Sequence, residues 1–119
     1  MKESNFKKQN YNFVGNHTFL EGELKFTGDT IIHGRVKGTI IMQDEGNLIL
    51  ERTAKFEGTI FCQNLEVFGE VKGTVKASGT LSIRSSASVS GNIQAGKLVV
   101  YPGAVLNVES HTQENETSL

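Results

Sequence analysis

The chain has 119 residues, a formal charge of −1 and only 37% hydrophobic residues, with 13 glycines, one proline and no tryptophan. That length suits one domain and is too short for two. The near-zero charge supplies no field for DNA, RNA or an anionic bilayer, and a core this poor in large aromatics needs another route to burying surface.

Taken from the start, residues 1–11 are polar and unrepeated and are expected to form a disordered tail. Within that tail, Phe6, Lys7 and Lys8 are the candidate membrane contact. Each basic residue near an anionic surface adds about 1 kcal/mol, a weak grip that a filament would multiply by avidity. A solvated tail is the plainer reading of the same residues. No apolar run reaches the roughly 18 residues of a spanning helix, and no secretory-type apolar core follows the first residues. With Cys62 the single cysteine, an internal disulfide is excluded and a reducing, cytoplasmic compartment is expected.

From residue 12 the chain repeats itself. Gly34-Arg35-Val36-Lys37-Gly38-Thr39-Ile40 recurs as Gly69-Glu70-Val71-Lys72-Gly73-Thr74-Val75. The stretch from Leu48 to Ile60 is matched in the same way by that from Leu81 to Ile93. The shared core, apolar-x-Gly-x-apolar, centres on Gly22, Gly38, Gly58, Gly73 and Gly91, spaced 16, 20, 15 and 18 residues apart. A sixth, degenerate copy runs from Leu98 to Val108, with Val108 at the glycine position. Apolar residues alternate with period two, which means strand and not helix. So short a period leaves no room for a crossover helix. Three short parallel strands joined by bends fit it, and residues 12–108 are expected to wind into six coils, about 29 Å of rod at roughly 4.8 Å per coil.

Stacking the copies predicts inward columns: Leu20, Val36, Phe56, Val71, Val89 and Leu106 in one; Leu24, Ile40, Ile60, Val75 and Ile93 in another. A third holds Phe26, Met42, Cys62, Ala77 and Ala95, and a column of small residues from Thr18 through Gly34, Ala54 and Gly69 to Ala104 is expected at a tight corner. An outward column of alternating sign, Glu21, Lys37, Glu57, Lys72, is expected to help fix register.

Candidate chemistry is sparse. His17, His33 and His111 have no partner at metal-ligand spacing. Cys62 falls in an inward column and reads as a packing thiol. No Gly-Lys-Ser/Thr phosphate cradle or calcium nonapeptide is present. The outward threonines Thr39, Thr59 and Thr74 are explained by pairing between coils rather than by an ice-binding face. No catalytic residue, metal or cofactor is expected.

The ends carry the function. A solenoid without caps has two unpaired rims, and unpaired strand edges recruit other edges. The first rung offers Phe13, Val14, Phe19 and Leu20. The last offers Leu98, Val100 and Tyr101, followed by Leu106 and Val108, with no charge between Lys97 and Glu109. These are the candidate polymer interfaces. Residues 109–119 are polar and are expected to be a second disordered tail.

The doubled Gly-x-Val-x-Gly-x-Ile/Val units, the Leu-x-Ile…Ala-x-Val-x-Gly-x-Ile alternation and the closing Pro102-Gly103-Ala104-x-Leu106 together resemble the bactofilin family over residues 14–108. The resemblance implies a right-handed β-helix of triangular section that polymerises without nucleotide, head to head and tail to tail. It also implies a bacterial scaffold at the inner face of the cell membrane that positions peptidoglycan-modifying enzymes. Leu106 and Val108 depart from the pattern, which often has an aromatic and a glycine there. Two other classes compete. An acyltransferase-type left-handed helix wants six-residue steps, which the spacings here do not give. A monomeric solenoid binding module wants a signal sequence and end caps.

Overall fold

The computed structural model describes residues 11–117, with side chains from 11 to 109. Among these residues every regular element is a strand and every pairing is parallel. The chain alternates a four-residue strand with an eight-residue one: β1 (Tyr11–Val14), β2 (Phe19–Phe26), β3 (Asp29–Ile32), β4 (Arg35–Met42), β5 (Asn47–Leu50), β6 (Lys55–Cys62) and β7 (Asn64–Val67). The strands then fuse into β8 (Glu70–Ile83), β9 (Ser88–Val100) and β10 (Val105–Thr117). Short strands stack in the order β1-β3-β5-β7 and continue on the second half of β8. Long strands stack as β2-β4-β6 and continue through β8 and β9 to β10. The result is a parallel β-solenoid of about six turns.

The predicted columns are the register partners. Leu20 pairs Val36, Val36 pairs Phe56, and the line continues through Val71 and Val89 to Leu106. Its four central members are at most 3% exposed, and Ile40 and Ile60 of the neighbouring column are fully buried. Each coil therefore uses the next as its core wall. This is how a chain without tryptophan closes a core.

One expectation changes in detail. Instead of three separate strands per coil, the eight-residue strand passes unbroken through the repeat glycine at its middle. At Gly58 φ is 137°, a region essentially reserved for glycine, so the chain turns a corner while its ladder continues on both sides. A Cβ there would fall on the carbonyl oxygen of Gly38 in the preceding coil. Shape and close approach both require glycine. The small-residue column is likewise a corner of backbone contact: a Cβ on Gly34 would strike the carbonyl oxygens of Thr18 and Gly15.

Polar side chains staple the remaining corners from coil to coil. The Asp44 carboxylate accepts from the N–H of Gly28 at 2.9 Å and of Gly46 at 3.0 Å, which holds its pKa below the ordinary value. Asn64 accepts from the N–H of Thr80 at 2.9 Å, and Thr53 donates to the His33 carbonyl at 2.6 Å. Thr30, the buried polar residue, donates to the Gly28 carbonyl and accepts from Asn12.

The charged column contributes less than expected. Glu21, Lys37, Glu57 and Lys72 are register partners. Among the described residues, though, the ion pair at this site runs from Lys72 to Glu70 within one strand, at 3.4 Å, and none bridges the column. Exposed ends of long side chains gain little from pairing. Register rests on the aliphatic columns and the glycine corner.

The boundaries also differ from expectation. Tyr11 already belongs to β1, and β10 runs through Glu109 to Thr117 where a tail was expected from 109 onward. The open N–H and C=O groups of β9 explain this extension, since a backbone ladder can grow without an apolar alternation.

Candidate functional site: the two rims

The rims are where the columns stop. β1 pairs only β3 and β2 pairs only β4, which leaves the outer edge of each free of partners among the described residues. Inside the rod a column position is buried. At the rim the same position is only partly covered: Leu20, Leu24 and Phe26 pack against the core yet remain half-exposed. The outward aromatics of this rim stand further out, with Tyr11 53%, Phe13 60% and Phe19 55% exposed. Phe13 leans on the His33 ring with centroids 5.1 Å apart, and the Arg35 guanidinium lies over Phe19 at 5.3 Å. Large apolar groups clustered on an unpaired edge form a contact surface.

Of the residues expected at this rim, Phe13, Phe19 and Leu20 are available, and Val14 is buried behind them. Tyr11, Leu24 and Phe26 belong with them and were not singled out. The signal was present for Leu24 and Phe26, which are the first members of their columns.

The other end differs from expectation. Leu98 is 4% exposed and Val100 half-buried, both in β9 and one rung in from the end, with Asn115 and Thr117 of β10 as register partners. Tyr101 is on the flank, where the Arg84 guanidinium covers its ring at 4.2 Å and also lies 5.2 Å from Phe68. Arg84 is in turn held by Glu66 at 2.5 Å. Leu106 and Val108 do belong to the last strand, half-exposed, beside the outward Val105. Phe6, Lys7 and Lys8 lie outside the described residues.

Reactive groups do not gather. Among the described residues no three of His, Cys, Asp and Glu come close enough to hold a metal ion. Cys62 is buried opposite Ala77, and loss of solvation pushes its thiol up to about 12, so it is protonated and inert. An open cleft of about 390 Å³ on the long-strand side is lined by Arg35, Lys37, Lys55, Glu57 and Glu70. With Lys72 the lining presents four cations against two carboxylates, and both of its columns, Arg35-Lys55-Glu70 and Lys37-Glu57-Lys72, carry both signs, so it is no single-sign pocket for an ionic substrate. No described helix is long and apolar enough to cross a membrane.

Comparison with known proteins agrees with this geometry. A family model described as bactofilin, polymer-forming cytoskeletal, matches residues 12–111. Bactofilin BacO of Myxococcus xanthus (strain DK1622) is 31% identical over 91 residues, 76% of this chain and 71% of that protein. No solved structure matches the chain.

Proposed function

The chain belongs to the bactofilin family of polymer-forming cytoskeletal proteins, and from that premise we propose that it assembles end to end, without nucleotide, into a filament that serves as a scaffold. The observation that carries this reading is positional. Val36 and Ile40 are 2% and 0% exposed inside the rod, while Leu20 and Leu24 of the same columns are half-exposed at the rim. Another rim of the same kind would complete them. Joining N-terminal rim to N-terminal rim and C-terminal rim to C-terminal rim gives a filament without polarity. The rod is right-handed and triangular in section on this reading, and it acts in structure rather than in catalysis.

The filament works at the inner face of a bacterial cell membrane, held there by Phe6, Lys7 and Lys8 repeated along its length, and it positions peptidoglycan-modifying enzymes. Avidity makes a weak tail sufficient. The test uses the purified protein with chelator and no nucleotide, followed by negative-stain microscopy and sedimentation. Thin filaments are expected. Monomers at high concentration in moderate salt would overturn the reading.

A further inference from the structure

The link between β4 and β5 stands out from its edge of the rod. It is a four-residue loop, residues 43–46, where the other links at that edge are residues 27–28 and residue 63, and β8 and β9 pass it without a break. Gln43, Asp44 and Glu45 are all exposed. The loop is nonetheless fixed. Asp44 accepts from the N–H of Gly28 in the preceding coil at 2.9 Å and from that of Gly46 at 3.0 Å. Those donors hold its pKa below the ordinary value, so it is ionised at neutral pH. Asp44 is thus committed to the backbone, with Glu45 exposed beside it on a firm acidic projection.

The cleft on the long-strand side is its counterpart. It measures about 390 Å³ and is lined by Arg35, Lys37, Lys55 and Lys72 against Glu57 and Glu70. Lys72 is paired with Glu70 at 3.4 Å. The lining carries an excess of two cations, and the loop carries two carboxylates. Mixed signs make a poor seat for a free ion but suit a loop, since Gln43 brings an amide donor beside the acids. Strand β4 has Arg35 and Lys37 at its start and runs into the loop at its end, so cleft and loop stand at the same level of the rod. The Gly38 corner, with φ 134°, lies between them. The two therefore look to different sides, and a chain does not fill its own cleft.

We propose that the acidic loop 43–46 of a second copy of this chain seats in the cleft, with Glu45 over Lys55, and so joins rods side by side. Lys55 is the middle of its column in the cleft, between Arg35 and Glu70. Loop and cleft are different surfaces, so the contact is heterologous: a joined pair keeps one loop and one cleft open, and the row extends. Because the two stand at one level, neighbours pack without axial offset. The contact is held by opposite charges and depends on salt, since the screening length falls from about 10 Å at 0.1 M to about 3 Å at 1 M. It lies at right angles to the end-to-end junctions and goes beyond that reading.

The test uses the full chain with charge reversals at exposed positions, Glu45→Lys and Lys55→Glu, each alone and both together. Low-speed sedimentation collects laterally joined filaments, and high-speed sedimentation collects single ones as well. Wild type is expected in the low-speed pellet at low salt and is expected to leave it at about 1 M salt. Each single reversal should lose the low-speed pellet and keep the high-speed one, and the exchange of both charges should restore the former. Single reversals that pellet as wild type does, or a double variant that stays dispersed, would overturn the proposal. A cross-link separates this contact from the polymer reading. Glu45→Cys protein is mixed with Lys55→Cys protein and treated with a short bis-maleimide. The native Cys62, buried and with its thiol pushed up to about 12, does not compete. A covalent pair of the two variants, in preference to either one with itself, is expected. If it forms in protein that makes no filament, the side-by-side contact stands and the polymer reading falls. Filaments without that cross-link would overturn the contact and leave the polymer reading in place.

Discussion

Phe19→Ala probes the proposed N-terminal junction with little disturbance of the rod. The ring is 55% exposed in the single chain, so the coil does not depend on it for its core. Burying a whole phenylalanine is worth about 1.5–3 kcal/mol, and the share still open at Phe19 comes to about 0.8–1.7 kcal/mol. In a two-fold junction the substitution acts twice. The loss becomes about 1.7–3.3 kcal/mol, or about 15- to 250-fold in the junction's dissociation constant. Within the monomer the change removes mainly the Arg35 guanidinium from the ring face, worth about 0.5–1 kcal/mol at an exposed site. Sedimentation over a concentration series reads the effect as a rise in the concentration at which filaments first pellet. Phe61→Ala is the control: that ring is 40% exposed but sits on the flank of an interior strand. If Phe19→Ala pellets at the wild-type concentration, or Phe61→Ala shifts it as far, the rim is not where chains join.

Gly58→Ala should destabilise the fold by about 1–3 kcal/mol from backbone strain alone, and by more because its Cβ meets the Gly38 carbonyl. Gly22→Ala, which meets nothing, should cost only the strain, and urea unfolding compares the two. The Asp44 carboxylate is held below its ordinary pKa of 3.8 by two backbone N–H donors. Its contribution is therefore full above that value and is lost as pH falls through the lower folded pKa. Wild type should lose more stability than Asp44→Asn on acidification below about pH 4, read by thermal melts. Cys62 should resist thiol reagents at pH 8 in the native protein and react at once in denaturant, since burial keeps it protonated.

Most of the rod can be read from the sequence because the repeat does the geometry. Once Gly34–Ile40 is laid on Gly69–Val75, each inward residue finds its neighbour, and Val36, Phe56, Val71 and Val89 are adjacent in the fold as in the alignment. Burial by a neighbouring copy leaves a period-two trace, and that trace is easy to see. The course of β10 beyond Val108 leaves none. Ser110, Thr112, Asn115 and Thr117 are the register partners of Ile93, Ala95, Leu98 and Val100 but are polar in the sequence, so this stretch shows no apolar alternation and reads as a tail. For the same reason Leu98 and Val100 read as terminal when they are one rung in. The N-terminal rim was more legible, since Phe13, Phe19 and Leu20 carry both the alternation and the aromatic excess. The Arg84 stack between Phe68 and Tyr101 was not legible. It joins three positions of three successive coils that no pairwise sequence pattern links.

Because all the strands are parallel and stacked coil on coil, their hydrogen bonds point along the rod. A pull on the proposed filament therefore loads a whole turn at once: between β8 and β9 the force is divided over the paired positions from Glu70 to Ile83. No single bond can open ahead of its neighbours while the Val71–Val89 and Leu81–Leu98 contacts hold beneath it. On the proposed end-to-end reading such a cable should part between its links before a link unwinds, and the separated pieces should keep the ends they need to splice again.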